Sequence, residues 1–182
     1  MKCLGENAEK RAALAVADLM AAAARTAPKA CGVDNVETVI LDGAEKDELA
    51  AYLRKIGEER NIEFFVRDAG NLESSHCVVL IGVKDIPLAL VPCGLCGFEN
   101  CGKMRKAGGH CTFNITDLGV AVGSAASIAA DNRIDNRVLY SAGVAAVESG
   151  VMSEKVRVAY AIPLSTSSKS IFFDRGPGAV LV

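Results

Sequence analysis

Seven residues in a row, Cys77-Val78-Val79-Leu80-Ile81-Gly82-Val83, carry no polar side chain. Successive side chains of a strand point to opposite faces, so a strand that is apolar throughout must be covered on both sides. The run predicts a central strand over 76 to 83 in a sheet flanked by helices. It leads through Pro87 and Pro92 into a second unusual stretch, CGLCGFENCGKMRKAGGHC, in which Cys93, Cys96, Cys101 and Cys111 follow the spacing C-x2-C-x4-C-x9-C.

The remaining elements fit around that strand. An Ala-rich helix from about Asn7 to Arg25 has Asp18 as the one charge between Ala12 and Ala24, which predicts burial on most sides, and Pro28 ends it. A short strand over 36 to 41 (VETVIL) precedes an amphipathic helix from Ala44 to Glu59, with Leu49, Tyr52, Leu53 and Ile56 on its apolar side. The aromatic run IEFFVRD, 62 to 68, reads as a further strand. Beyond Cys111, Thr116 and Asp117 read as caps for a helix of small residues, LGVAVGSAASIAAD, in which Gly119, Gly123 and Ser124 permit close packing. The polar run DNRIDNR, 131 to 137, reads as a turn with Asp135 capping a helix to Ser149, closed by Gly150; the sharper reading is a polar site or subunit contact. The strand KVRVAYAIPL and a tail able to form one more strand complete the chain. No repeat or linker divides it, so residues 1–182 read as a single domain with 92–112 as an inserted four-cysteine loop.

Charge and composition remove several classes of function. A net charge of -2 provides no basic field for nucleic acid or an anionic membrane surface. The start, MKCLGENAEKR, has no apolar leader core, and no later run reads as the roughly 18 to 20 apolar residues of a membrane span. The expectation is a cytoplasmic protein with no nucleic-acid and no membrane partner. In a reducing compartment the odd count of seven cysteines argues against a disulfide framework and for metal ligation or redox chemistry.

Four thiolates satisfy either a [4Fe-4S] cluster or a structural zinc ion. Zinc ribbons place two CxxC knuckles far apart, whereas three cysteines here fall within nine residues, which favours the cluster. Lys103, Arg105 and Lys106 lie between the ligand candidates, and nearby cations favour the reduced form of an anionic cluster. His110 either tunes the centre or is an ordinary loop histidine, and His76 is given no role. Ser124, Ser127 and Ser141 have no histidine near them in sequence, so no hydrolase site is read.

CGLCGFENCGKM, GHCTFNITDLGVAVGSAASIAADNRIDNRVLYSAGVAA and IPLSTSSKSIFFDR together closely resemble the uncharacterised prokaryotic ferredoxin domain-containing proteins, over nearly the whole chain. The cysteine run also looks like the iron-sulfur domain of corrinoid and electron-transport proteins, which shares C-x2-C-x4-C and places its fourth ligand further on. Cys111 comes earlier than that, and Cys31, Cys77 or Cys3 are the alternatives for a fourth ligand. A third resemblance is to the flavin-dependent nitroreductases, carried by the Ala27-Pro28 turn, the helix beginning DLGVA, and IPLSTSSKSIFFDR. It implies an α+β domain with a central mixed sheet, a homodimer with flavin at its interface, and FMN held near Arg25, Lys29, Ser124 and Arg175. The small-residue helix would then be a flavin wall or a packing surface.

These readings combine into an expectation: a redox protein of nitroreductase-like architecture with a [4Fe-4S] cluster on Cys93, Cys96, Cys101 and Cys111, with or without FMN. It would transfer electrons with an unidentified redox partner or reduce a small substrate. The alternatives are a zinc-stapled interaction module and an FMN-binding scaffold whose cysteines are metal-free, redox-sensitive thiols.

Overall fold

The computed structural model describes residues 2–173. Helix α1 (Gly5–Thr26) is followed by a single 3-10 turn (Ala30–Gly32), strand β1 (Val36–Asp42), and helices α2 (Gly43–Glu59) and α3 (Glu63–Glu73). Strand β2 (Cys77–Lys84), the cysteine loop with its short helix α4 (Cys101–Lys106), and helix α5 (Thr112–Asp131) come next. Strand β3 (Asp135–Asn136), helix α6 (Tyr140–Glu148) and strand β4 (Val156–Ser165) complete the described order.

The sheet order is β1-β2-β4-β3, with β2 central as its apolar run requires. Val36 to Asp42 pairs with Val83 to Cys77, and Cys77 to Val83 pairs with Leu164 to Val158. All three pairings among the described residues are antiparallel, where a mixed sheet was expected. The strands between Cys77 and Ser165 enter from opposite ends, so no parallel neighbour arises among them. The α+β, nitroreductase-like class itself stands.

Two cores lie on the two faces of β2. Cys77, Val79, Ile81 and Val83 pack with α1 and α5, through Ala17, Met20, Leu118 and Ala125. Val78 and Leu80 pack with α2, α3 and α6, through Leu53, Leu72 and Ala142. Each fully buried aliphatic side chain contributes about 1.5–3 kcal/mol relative to exposure, so β2 is the best-anchored segment of the chain.

Four expectations are corrected. Residues 63 to 68 are helical, the start of α3 with Ile62 as its N-cap, because Phe65, Ala69 and Leu72 recur at helical spacing and bury against α2 and the sheet. Gly57 permits this hairpin: a Cβ there would lie 2.9 Å from Phe65 Cβ. Helix α1 buries one stripe, Ala13, Val16, Ala17, Met20 and Ala24, and leaves Leu19 half exposed. Helix α5 begins at Thr112, so Thr116 and Asp117 are interior; Asp117 instead accepts the Ala30 N–H at 3.0 Å from another element. Asp135 does not cap a helix but pairs with Ser165 at the sheet edge, and α6 starts only after Leu139 has bonded Ala161 in both directions (2.8 and 3.0 Å).

With its earlier start, α5 is the one helix among the described residues long and apolar enough to cross a membrane by length and composition, at mean hydropathy 1.3. Its buried Asn114 and Asp117 are hydrogen-bonded within the protein, and its apolar side packs on α1 and the sheet. The expected tail strand lies outside the described residues from 174 onward.

Candidate functional site

The cysteine loop is rooted where β2 ends. The Asn114 amide, 2 % exposed in the first turn of α5, donates to the Lys84 and Ile86 carbonyls at 3.2 and 3.0 Å. Asn35 reaches the same point, donating to the Ile86 carbonyl (3.0 Å) and the Asn114 side-chain oxygen (3.3 Å). The Lys84 and Asp85 N–H groups are taken by the carbonyls of Asn35 and Lys155, both at 2.9 Å. Buried amides bonded this fully hold backbone in one arrangement. The loop therefore leaves the sheet from a fixed base.

Further out, the turn closed by Gly97 N–H on the Gly94 carbonyl (2.8 Å) separates Cys93 from Cys96, and Gly97 takes the positive φ (82°) that the turn requires. Asn100 caps α4 by accepting the Lys103 N–H at 3.0 Å, which fixes Cys101 at the head of that helix. Glu99 and Lys103 form an ion pair one turn apart. Met104 is fully buried, and Gly109 fits against Met104 and Phe98 so closely that a Cβ would lie 3.2–3.3 Å from them. Arg105 donates to the Asp85 carbonyl (3.2 Å), tying α4 back to the root.

Cys93, Cys96 and Cys101 line one cavity of about 240 Å³, with Val91, Phe98 and Glu99 in its walls. Cys93 is exposed, Cys96 and Cys101 are half-buried, and all three are free thiols. Small-molecule pockets usually measure roughly 300–1,000 Å³, so this one suits a compact group better than a flavin. Cys111 lies elsewhere: it is buried at the start of α5 and lines a small pocket with Asp85, His110 and Asn114. His110 Nδ1 stands 3.9 Å from Asp85 Oδ1. Among the described residues no three His, Cys, Asp or Glu side chains converge at metal-binding distance. Three soft donors around one compact cavity nonetheless match the donor chemistry of an iron-sulfur or zinc centre.

None of the alternative cysteines lines the cavity. Cys77 starts β2, at the end of the strand opposite the loop; burial, with the Asp42 charge adding to it, pushes its thiol up to about 12. Cys3 is exposed near the N-terminus, where its sulfur accepts from Arg11, and Cys31 is exposed in the 3-10 turn at φ 55°.

Three of the four residues expected around a flavin, Arg25, Lys29 and Ser124, share one place, the C-terminal end of α1, and are hydrogen-bonded there. Lys29 donates to the Ala24, Arg25 and Ala27 carbonyls at 3.0, 2.7 and 2.9 Å, which uses all three ammonium protons to close the helix. Ser124 donates to the Ala23 carbonyl at 3.1 Å. Arg25 pairs with Asp34 and reaches the Val36 carbonyl, keeping about half of its side chain exposed. Arg175 lies outside the described residues. Gly119 and Gly123 do not serve close packing among the described residues, where a Cβ at either would meet nothing within 4 Å. Ser141 donates to Asp68 (2.6 Å), a buried pair braced by Arg67, and His76 bonds Thr166 (2.7 Å). Sequence reasoning missed Asn35, Asn114 and Asp85. The one signal for Asn114 was a polar residue facing inward beside an otherwise apolar helix.

A likeness to solved structures defines the fold. A nitroreductase from Lactococcus lactis in complex with nicotinic acid superposes with a TM-score of 0.59 at 10% identity, over 93% of this chain and 88% of that one. A nitroreductase with bound FMN from Desulfitobacterium hafniense gives 0.56 at 13% identity, over 92% and 86%. An FMN-dependent nitroreductase from Clostridium difficile gives 0.54 at 16%, over 93% and 79%. The architecture is thus the nitroreductase fold.

The family profile described as "Uncharacterized protein containing a ferredoxin domain" matches residues 107–175, from the end of α4 through β4. A protein of Archaeoglobus fulgidus, described as an uncharacterized protein, is 39% identical over 167 residues, 87% of this chain and 89% of its own. This chain belongs to that ferredoxin-domain family.

Proposed function

We propose that this protein is a redox protein that holds an iron-sulfur cluster in its cysteine loop, on a nitroreductase-like scaffold. The observation that carries the reading is the gathering of Cys93, Cys96 and Cys101 around one cavity of about 240 Å³. Membership in a family described by its ferredoxin domain supports it. A bound cluster supplies one-electron transfer. The chain's own part is to hold and tune: the Gly94–Gly97 turn and the Asn100 cap set the spacing of the three thiols, and Asn35 and Asn114 fix the root. Lys103, Arg105 and Lys106 lie on α4, the helix that begins at Cys101, with Lys103 paired to Glu99, and cations near an anionic cluster favour its reduced state.

A flavin is the second reading, supported by the fold shared with proteins that carry FMN. In it, Arg25, with its half-exposed guanidinium, is the residue best able to meet a phosphate, and a second copy of the chain would complete the site. Both readings place the protein in electron transfer or the reduction of a small substrate, in the cytoplasm.

Anaerobic purification and reconstitution, followed by a visible spectrum and iron, zinc and flavin analysis, tests the proposal. A brown protein containing iron and sulfide, lost on substituting Cys93 and Cys96 together by Ser, is the expected outcome. Stoichiometric zinc, or a colourless iron-free protein, rejects it; a yellow protein indifferent to those substitutions supports the flavin alone.

A further inference from the structure

We infer that the cysteine loop carries a docking surface for a small acidic electron-transfer protein. The redox class of the partner rests on the reading above; the apolarity and charge of the surface do not. Four of the thirteen large apolar side chains exposed among the described residues fall within ten consecutive positions: Ile86, Leu90, Val91 and Leu95. Val91 is 94% and Leu95 63% exposed, in a chain that buries a whole apolar run in β2. Exposed apolar side chains scattered singly are ordinary, whereas several together mark a surface that another molecule covers. Leu90, Val91 and Pro92 also form part of the wall of the cavity lined by Cys93, Cys96 and Cys101, so a partner seated on them covers that cavity.

Charge decides the kind of partner. Residues 84–111 carry four cations, Lys84, Lys103, Arg105 and Lys106, against two carboxylates, Asp85 and Glu99. That is a net charge of +2 in a chain of net charge -2, so all other residues together carry -4. Within the loop, Lys103 neutralises Glu99 on the cavity wall, and the exposed Arg105 and Lys106 have no carboxylate partner among the described residues. Such a separation steers an acidic surface to the loop and turns a basic one away, most strongly at low salt. Asn35 and Asn114 tie the root of the loop to the sheet, so the surface is presented on a fixed base and little ordering is needed on contact. A small apolar contact with a charged border is the form of the short-lived complexes that electron carriers make.

The test titrates the full chain, metal-free and anaerobically reconstituted, with two purified electron carriers, an acidic [2Fe-2S] ferredoxin and the basic cytochrome c, in a calorimeter. The ferredoxin is expected to bind and to weaken about tenfold as salt rises from about 0.05 to about 0.3 M, while cytochrome c does not bind. K106E and the double variant V91S/L95S should each weaken ferredoxin binding about tenfold, whereas K55E, the same charge change on an exposed residue of α2, leaves it within about twofold. Circular dichroism verifies that each variant is folded. Absence of ferredoxin binding, equal binding of cytochrome c, indifference to salt, or either K106E or V91S/L95S binding as tightly as wild type overturns the inference. So does a dimer of the free chain that V91S/L95S disperses in sedimentation, since a second copy then covers the patch. Iron-loaded protein that ignores ferredoxin overturns the docking and leaves the cluster reading standing. Protein that takes up no iron yet binds ferredoxin as expected rejects the cluster and supports the docking.

Discussion

Cys77 and Cys93 are separated by little more than one strand, yet their thiols have opposite fates. Cys77 is enclosed on the central strand, its ionisation suppressed by burial, while Cys93 stands in the open loop. Iodoacetamide at neutral pH should therefore modify Cys3, Cys31 and Cys93 of the metal-free native protein and leave Cys77 unmodified until denaturant is added, as read by peptide mass spectrometry. Labelling of native Cys77 would contradict its enclosure. Asp34 carries a second residue-scale prediction. Burial acts to raise its carboxyl, but the Arg25 hydrogen bond, the Val36 N–H and the Arg25 and Lys29 charges outweigh it and hold it below the ordinary range. A depressed native pKa makes the unfolded chain bind more protons as acidity increases. The stabilisation is complete above about pH 4, the usual aspartate value, and fades as pH falls through the lower native one. The D34N variant should lose stability at pH 7 and flatten the acid limb of a denaturation-midpoint profile; an unchanged limb counts against the Arg25 pair.

Elements show why part of this structure was legible and part was not. Helices α1 and α2 and strands β2 and β4 follow from periodicity and from Pro28, because each buries a simple stripe or most of an apolar run; β1 follows from its β-branched residues. The segment 62 to 68 misleads: its aromatic residues favour a strand in isolation, and only packing against α2 makes it α3. That Cys93, Cys96 and Cys101 line one cavity follows from their closeness in sequence. That Cys111 lines a different pocket does not, since the start of α5 is held by Asn114 bonding carbonyls 28 and 30 residues away. That clamp predicts that N114A, which removes one donor each from the Lys84 and Ile86 carbonyls and the acceptor of the Asn35 amide, costs about 1–3 kcal/mol in thermal or denaturant unfolding. The contact of α6 with β4 is tighter still. A Cβ on Gly143 would lie 2.0 Å from the Ala159 carbonyl oxygen, so G143A should destabilise by about 1–3 kcal/mol or more as α6 is pushed off the sheet. A melting temperature equal to wild type would show that the helix yields freely.

At the scale of the whole molecule, the outer side of α5 is smooth: Ile115 and Val120 are partly exposed beside Gly119 and Gly123, whose missing side chains leave open space. A second copy of the chain seated there would complete the homodimer we propose. Replacing Gly123 by Leu, whose Cβ would meet none of the described residues within 4 Å, should leave the fold intact by circular dichroism while shifting the mass seen in sedimentation from dimer to monomer. A wild-type monomer at micromolar concentration would remove the dimer.

The sharing of β2 between two cores has a consequence for how the chain opens. Neither layer of helices can leave without uncovering the same strand, so the two halves of the interior are expected to unfold as one cooperative unit. Amide protons of Val78 to Ile81 should then exchange with deuterium at the rate of global unfolding, slower than those of α4. The loop that gathers the thiols thus hangs from the last segment of the protein to let water in.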